Sequence, residues 1–148
     1  MGMSNTLYDQ DFFAWAQKQA QLLRAGRLSE ADIEHIAEEI ESMGRAEKRE
    51  LVNRLAVLLM HLLKWRFQPS ARGTSWRLAI EEQRDRLADH LADNPSLKAA
   101  LGDAVTAGYR LAILGAARET GLDRGAFPAV CPWTFAQCMD GAFWPDAD

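Results

Sequence analysis

Three histidines, two cysteines and a stretch of glutamates are the side chains through which this chain could do chemistry. His61 sits among Leu58, Leu59, Leu62 and Trp65, inside thirty successive residues, 51–80, that contain no carboxylate. A glutamate reaching it from the acidic stretch upstream (Glu38, Glu39 or Glu41) would form an acid–base couple. With a bound ion, Glu38, Glu41 and His61 would make a metal-assisted hydrolase. The plainer alternative is a partly buried histidine hydrogen-bonded for structure, because structural networks engage histidines too. Asp32-x-x-His35 sets a carboxylate and an imidazole one helical turn apart. Di-iron carboxylate bundles, however, carry Glu-x-x-His on two helices and further glutamates on two others. His61 and His90 have no carboxylate three residues before them. Asp32, Glu34, Glu38 and Glu41 therefore read as a solvated acidic face, and no metal is expected.

Cys131 and Cys138 lie seven apart, with no neighbouring histidine or further cysteine to complete a tetrahedral zinc set. Two cysteines in 148 residues are also too few for a disulfide scaffold. No Gly-x-Ser-x-Gly elbow, phosphate loop or dinucleotide fingerprint occurs, so no nucleotide cofactor is expected.

The segment Lys64-Trp65-Arg66-Phe67-Gln68-Pro69, continued by Arg72 and Ser75-Trp76-Arg77, interleaves basic and aromatic residues around one turn. Such a surface could hold a phosphate or stack a base. Arginine and the aromatics are equally the anchors of protein–protein interfaces. The competing structural reading places both tryptophans in the core and pairs the arginines with the chain's own acids. Charge supports an anionic partner only locally. Residues 1–44 and 87–148 are net acidic, 45–86 is net basic, and the whole chain carries −4. A net-acidic chain argues against sequence-independent DNA binding, which depends on neutralising phosphates. The expectation is a non-enzymatic interaction or regulatory module. Its docking surface, formed by Lys64, Trp65, Arg66, Arg72, Trp76 and Arg77, would face an acidic protein or a second copy. A nucleic-acid or phosphate ligand on the same turn is the alternative.

The elements that must position these residues are helical almost throughout. At 148 residues, with 48% hydrophobic and 26% charged side chains, one globular domain with an unstapled core is expected. The N-terminus has neither a basic start nor an apolar run, and Leu55 to Leu63 is too short to cross a bilayer, so a cytoplasmic, non-membrane protein is expected. Apolar spacing predicts a helix over about Asp9 to Arg24, stopped by Gly26. A second helix is expected to open at Ser29. Its stripe of Ile33, Ala37, Ile40, Gly44, Leu51, Leu55, Leu58 and Leu62 runs to about Phe67, with a break expected at Gly44. After Pro69 and Gly73, Thr74 or Ser75 should cap a helix whose inner stripe is Trp76, Ile80, Gln83, Leu87 and Leu91. Asn94-Pro95 should start a last long helix to Thr120, whose small-residue side (Ala104, Gly108, Ala112, Gly115) lets another backbone approach. Thr134 and Gln137 read as the capping box of one short helix. The aromatic and proline-rich tail around it, 122–148, is expected to fold across an all-α bundle of four to five main helices.

Several segments together resemble an uncharacterised bacterial family, domain of unknown function twenty-nine. They are Tyr8-Asp9-Gln10-Asp11-Phe12 with Trp15; Glu38-Glu39-Ile40-Glu41-Ser42-Met43-Gly44-Arg45; and His61-Leu62-Leu63-Lys64-Trp65. Gln68-Pro69, Arg72, Ser75-Trp76, Asn94-Pro95-Ser96-Leu97, Phe127-Pro128 and Cys131-Pro132-Trp133 continue the likeness in order. Ala46 stands where the family pattern often has serine. The resemblance implies an all-helical bacterial cytoplasmic protein and supplies no catalytic residue, cofactor or activity.

Overall fold

Helical periodicity becomes helix in the computed structural model, which describes residues 7–146; no strand occurs among them. Six α-helices follow in order: α1 (Leu7–Gln10), α2 (Phe12–Arg24), α3 (Ile33–Phe67), α4 (Thr74–Asp93), α5 (Leu101–Thr120) and α6 (Phe135–Met139). Short 3-10 turns link them, the longest being Pro95–Ala100. The chain divides into two compact units at Ala46 and Glu47, within α3.

The first unit holds α1, α2 and the start of α3. Asp11 caps α2, its carboxylate accepting the Ala14 N–H at 3.0 Å, and Gly26 closes the turn after α2 at φ 72°, a left-handed conformation that glycine adopts without strain. Ser29 does not open α3. It lies in a 3-10 turn, Leu28–Glu30, and Asp32 precedes the first helical turn instead. The Gln19 side chain accepts the Asp32 N–H at 2.7 Å, and the Asp32 carboxylate accepts the Trp15 indole N–H at 3.0 Å. This tie buries Trp15 and Gln19. The apolar positions beyond it stay wet: Ile40 is 57% and Met43 61% exposed.

Gly44 does not interrupt α3, which is continuous over 35 residues. Intrinsic cost of about 1 kcal/mol for one glycine is too small to break a helix held on both sides. In the second unit, the stripe on α3 is core: Leu51, Leu55, Leu58, Leu59, Leu62 and Leu63 are fully buried. Each contributes roughly 1.5–3 kcal/mol of apolar burial. The small residues of α5 pack directly on this face. A Cβ at Gly108 would lie 3.1 Å from the Leu55 Cβ and 3.2 Å from the Ala56 backbone nitrogen, so α3 and α5 approach closely where glycine permits it.

Two local details differ from the spacing. Thr74 is the first residue of α4 rather than its cap, and Gly73 precedes it without a side-chain bond. Asn94 closes α4 instead of opening α5, donating its amide to the His90 carbonyl at 3.1 Å. Residues Pro95–Ala100 then form a 3-10 segment before α5 begins at Leu101. Gly121 ends α5 in the left-handed conformation, φ 77°.

The tail lies on the second unit as its composition demands. Phe127, Trp133 and Cys138 are buried in the core cluster, with Phe143 and Trp144 packed against it. Thr134 and Gln137 form the complete capping box of α6. Arg84 holds the tail in place: its Nε donates to the Cys138 carbonyl and its Nη2 to the Phe143 carbonyl, both at 2.7 Å.

Candidate functional site

The basic–aromatic turn after α3 is largely turned inward. Lys64 is buried, its Nζ 2.6 Å from Glu119 on α5 and 4.7 Å from the centre of the Trp76 ring. That hydrogen bond lowers the Glu119 carboxyl below its usual range, against a smaller opposing effect of burial. Arg72 donates to the Trp65 carbonyl at 2.6 Å and to the Pro145 carbonyl at 3.3 Å, and lies 3.7 Å from Asp146. Its guanidinium also covers the Trp65 ring, which packs on Trp144. The expectation that these cations stay clear of internal partners therefore fails for Lys64 and Arg72. Both secure the tail and α5, because a buried cation is tolerable only when carbonyls or a carboxylate surround it. Arg66 is half-buried, lies over Phe67, and leaves its Nε buried without a partner. Arg77 is exposed in the first turn of α4.

Glu38 and Glu41 belong to the first unit and His61 to the second, twenty or more positions further along the chain. His61 Nδ1–H donates to the Val57 carbonyl at 2.9 Å. Burial holds its pKa below the ordinary value, so the imidazole is neutral at pH 7. Glu38 and Glu41 are exposed. In the same unit as those two, Tyr8 donates to Glu39 and stacks on His35 with ring centres 3.9 Å apart. The hydrogen bond to Glu39 raises the Tyr8 phenol to about 12. His35 pairs with Asp32 at 2.8 Å, which raises the imidazole pKa.

Two groupings escape the spacing analysis. Among the described residues, Glu47, Glu50 and His90 bring one ligand atom each within 4.8 Å of one another. His90 Nε2 donates to the Glu47 carbonyl at 3.1 Å, and its Nδ1 lies 3.6 Å from the Glu50 carboxylate and 3.9 Å from that of Glu47. One imidazole and two carboxylates could hold a divalent ion, but Arg54 already bridges Glu50 at 2.7 Å and neutralises it. Glu47 and Glu50 stand three apart on α3 and His90 comes from α4, so spacing along the chain gave no signal that the three meet.

The second grouping is a groove of about 260 Å³ between α5 and the segment 124–131. Val105, Tyr109, Ile113 and Val130 give it an apolar floor and rim, while Arg110 and Arg124 are both exposed at its edge. Among the described residues no carboxylate lines it, and neither arginine makes an ion pair. Tyr109 donates its O–H to the Pro128 carbonyl at 2.6 Å, which fixes the segment against α5. Burial raises that phenol to about 12, with the nearby Arg66 guanidinium pulling the other way. The groove therefore presents oriented positive charge beside an apolar surface.

This all-helical chain belongs to a family of unassigned activity. The family model described as domain of unknown function DUF29 matches residues 7–144. No curated protein and no solved structure matches the chain. Among the described residues, no helix is long and apolar enough to cross a membrane.

Proposed function

We propose that this chain is a non-enzymatic helical interaction module that docks an acidic, partly apolar segment of a protein partner in a reducing, cytoplasmic setting. The docking surface in this reading is the α5 groove with Arg110 and Arg124, and the basic–aromatic turn contributes Arg66 and Arg77 rather than the internally committed Lys64 and Arg72. The observation that carries it is charge complementarity: two arginines that pair with no described residue flank an apolar groove that no described carboxylate lines. Arginine and tyrosine are the residue types that anchor interfaces, and a guanidinium fork matches a carboxylate bidentately. Lys64 and Arg72 are poor candidates, since withdrawing either would cost its internal partner a hydrogen bond.

A labelled peptide of alternating glutamate and leucine provides the probe. Fluorescence anisotropy should show it binding the wild-type chain, while the same peptide with lysine for glutamate should not bind. The double change Arg110→Glu with Arg124→Glu should weaken binding at least tenfold with the helical circular dichroism unchanged. Arg72→Glu would disturb the fold first. Equal binding by the wild type and the double variant would overturn the reading. So would preference for a single-stranded oligonucleotide with a steep salt slope, the signature of phosphate contacts, or concentration-dependent self-association that the peptide does not compete.

A further inference from the structure

The same groove has a thiol in its wall, and the docking reading makes no use of it. Cys131 lines the cavity and is half-buried, so a small solute in the groove meets this residue. Its S–H donates to the Trp133 carbonyl at 3.4 Å. Cys138 sits on α6 with 1% of its surface exposed. Cys131 packs against the core cluster that contains Cys138, and the two thiols are near enough to shift each other's ionisation. Both are reduced. The contact is built rather than incidental. The capping box of Thr134 and Gln137 fixes the helical turn that carries Cys138, and the Arg84 guanidinium holds the Cys138 carbonyl at 2.7 Å.

We propose that Cys131 is a peroxide-reactive thiol and that Cys138 resolves its oxidised form into an internal disulfide. The division of labour follows from placement. Cys131 lines an open cavity and Cys138 is 1% exposed, so the first is the thiol that meets an oxidant. The neighbouring Cys138 thiol draws the Cys131 pKa down to about 7, against burial, while the same contact and burial drive that of Cys138 up. The nucleophile is the thiolate, so at neutral pH Cys131 is reactive and Cys138 is not.

The reaction balances with a hydroperoxide as oxidant. The Cys131 thiolate attacks one peroxide oxygen; an S–O bond forms, the O–O bond breaks, and hydroxide leaves. The sulfur is oxidised to a sulfenic acid and the peroxide is reduced. Cys138 sulfur then attacks Cys131 sulfur; the S–S bond forms, the S–O bond breaks, and the departing hydroxide takes the Cys138 proton as water.

Treating the purified chain with hydrogen peroxide and reading its intact mass without reductant tests the proposal. The expected product has lost two hydrogens, maps to a Cys131–Cys138 cross-link, and is restored by a dithiol. In Cys138→Ala, dimedone should trap sulfenic acid on Cys131; in Cys131→Ala, Cys138 should stay unmodified over the same interval. Iodoacetamide labelling at pH 7 gives an independent readout. Cys131 should react at least tenfold faster than Cys138, and Cys138→Ala should slow Cys131 severalfold, because the neighbouring thiol that favours its thiolate is gone. Cys138→Ser serves if the alanine variant loses its helical signal. Modification of Cys138 before Cys131, a cross-link formed only between chains, or no cross-link while the thiols are consumed would overturn the proposal. Because the readout is covalent chemistry on the chain alone, its failure leaves the docking reading standing, and the reverse also holds.

Discussion

Replacing Arg84 by methionine should detach the C-terminal tail from the second unit. Arg84 is 5% exposed and has no carboxylate partner among the described residues; the Cys138 and Phe143 carbonyls accept from its Nε and Nη2 at 2.7 Å each, while its Nη1 is buried without a partner. Its guanidinium also lies 5.1 Å from the centre of the Trp144 ring. Hydrogen bonds to a charged group contribute about 1.5–3 kcal/mol each, and the two carbonyls would be left unpaired. Against this stands relief from burying a charge, the same burial that holds the Arg84 pKa below its ordinary value. Methionine keeps most of the volume, so the cavity contribution is small. The balance is a loss of roughly 2–4 kcal/mol, or a fall in Tm of roughly 6–12 °C. Urea unfolding followed by tryptophan emission should show a lower midpoint. Limited proteolysis should cut between Asp140 and Asp146 in the variant and spare the wild type. A variant within about 0.5 kcal/mol of wild type, with the tail still protected, would refute the view that this one side chain fastens the tail.

Other perturbations follow from the same contacts. Gly44→Ala should stabilise α3 by about 1 kcal/mol, since a Cβ there meets nothing within 4 Å; a lower urea midpoint would contradict this. Gly108→Ala should destabilise by roughly 1–3 kcal/mol through overpacking against Leu55 and Ala56, measured in the same way. Glu119 has a depressed folded-state pKa, owing first to the Lys64 hydrogen bond. Its contribution is present above the unfolded carboxylate pKa, about 4.3, and is lost as pH falls through the folded value. Lys64→Met should therefore flatten the acid limb of the stability–pH curve below that point, and an unchanged limb would count against the ion pair. His35 is shifted upward by Asp32, so its ring protons should titrate above pH 6.5 in NMR spectra and return toward that value in Asp32→Asn.

The sequence announces the helices because their burial is periodic. Leu51, Leu55, Leu58 and Leu62 repeat at three- and four-residue steps, and all four are fully buried. The glycines of α5 were legible for the same reason, as a stripe of small residues. Arg84 was missed although it stands four residues after Ile80 and three before Leu87, squarely on the inner face of α4. Charge alone suggested solvent there, and only the carbonyls of a tail more than fifty residues downstream explain its burial. Lys64 and Arg72 were misjudged in the same direction. A stretch without carboxylates does not leave its cations unpaired, because Glu119, Asp146 and main-chain oxygens come from elsewhere in the chain. The groove at Arg110 and Arg124 had no sequence signal, since a helix end and Gly121 stand between the two arginines.

Backbone amide shifts recorded while the glutamate–leucine peptide is titrated into the isotope-labelled chain address the docking surface most directly. The account predicts saturable shifts at Val105, Tyr109, Arg110, Ile113, Arg124 and Val130, and little change at Lys64 and Arg72. Shifts centred on the turn around Lys64 and Arg72, or none at peptide concentrations that saturate the anisotropy signal, would contradict it.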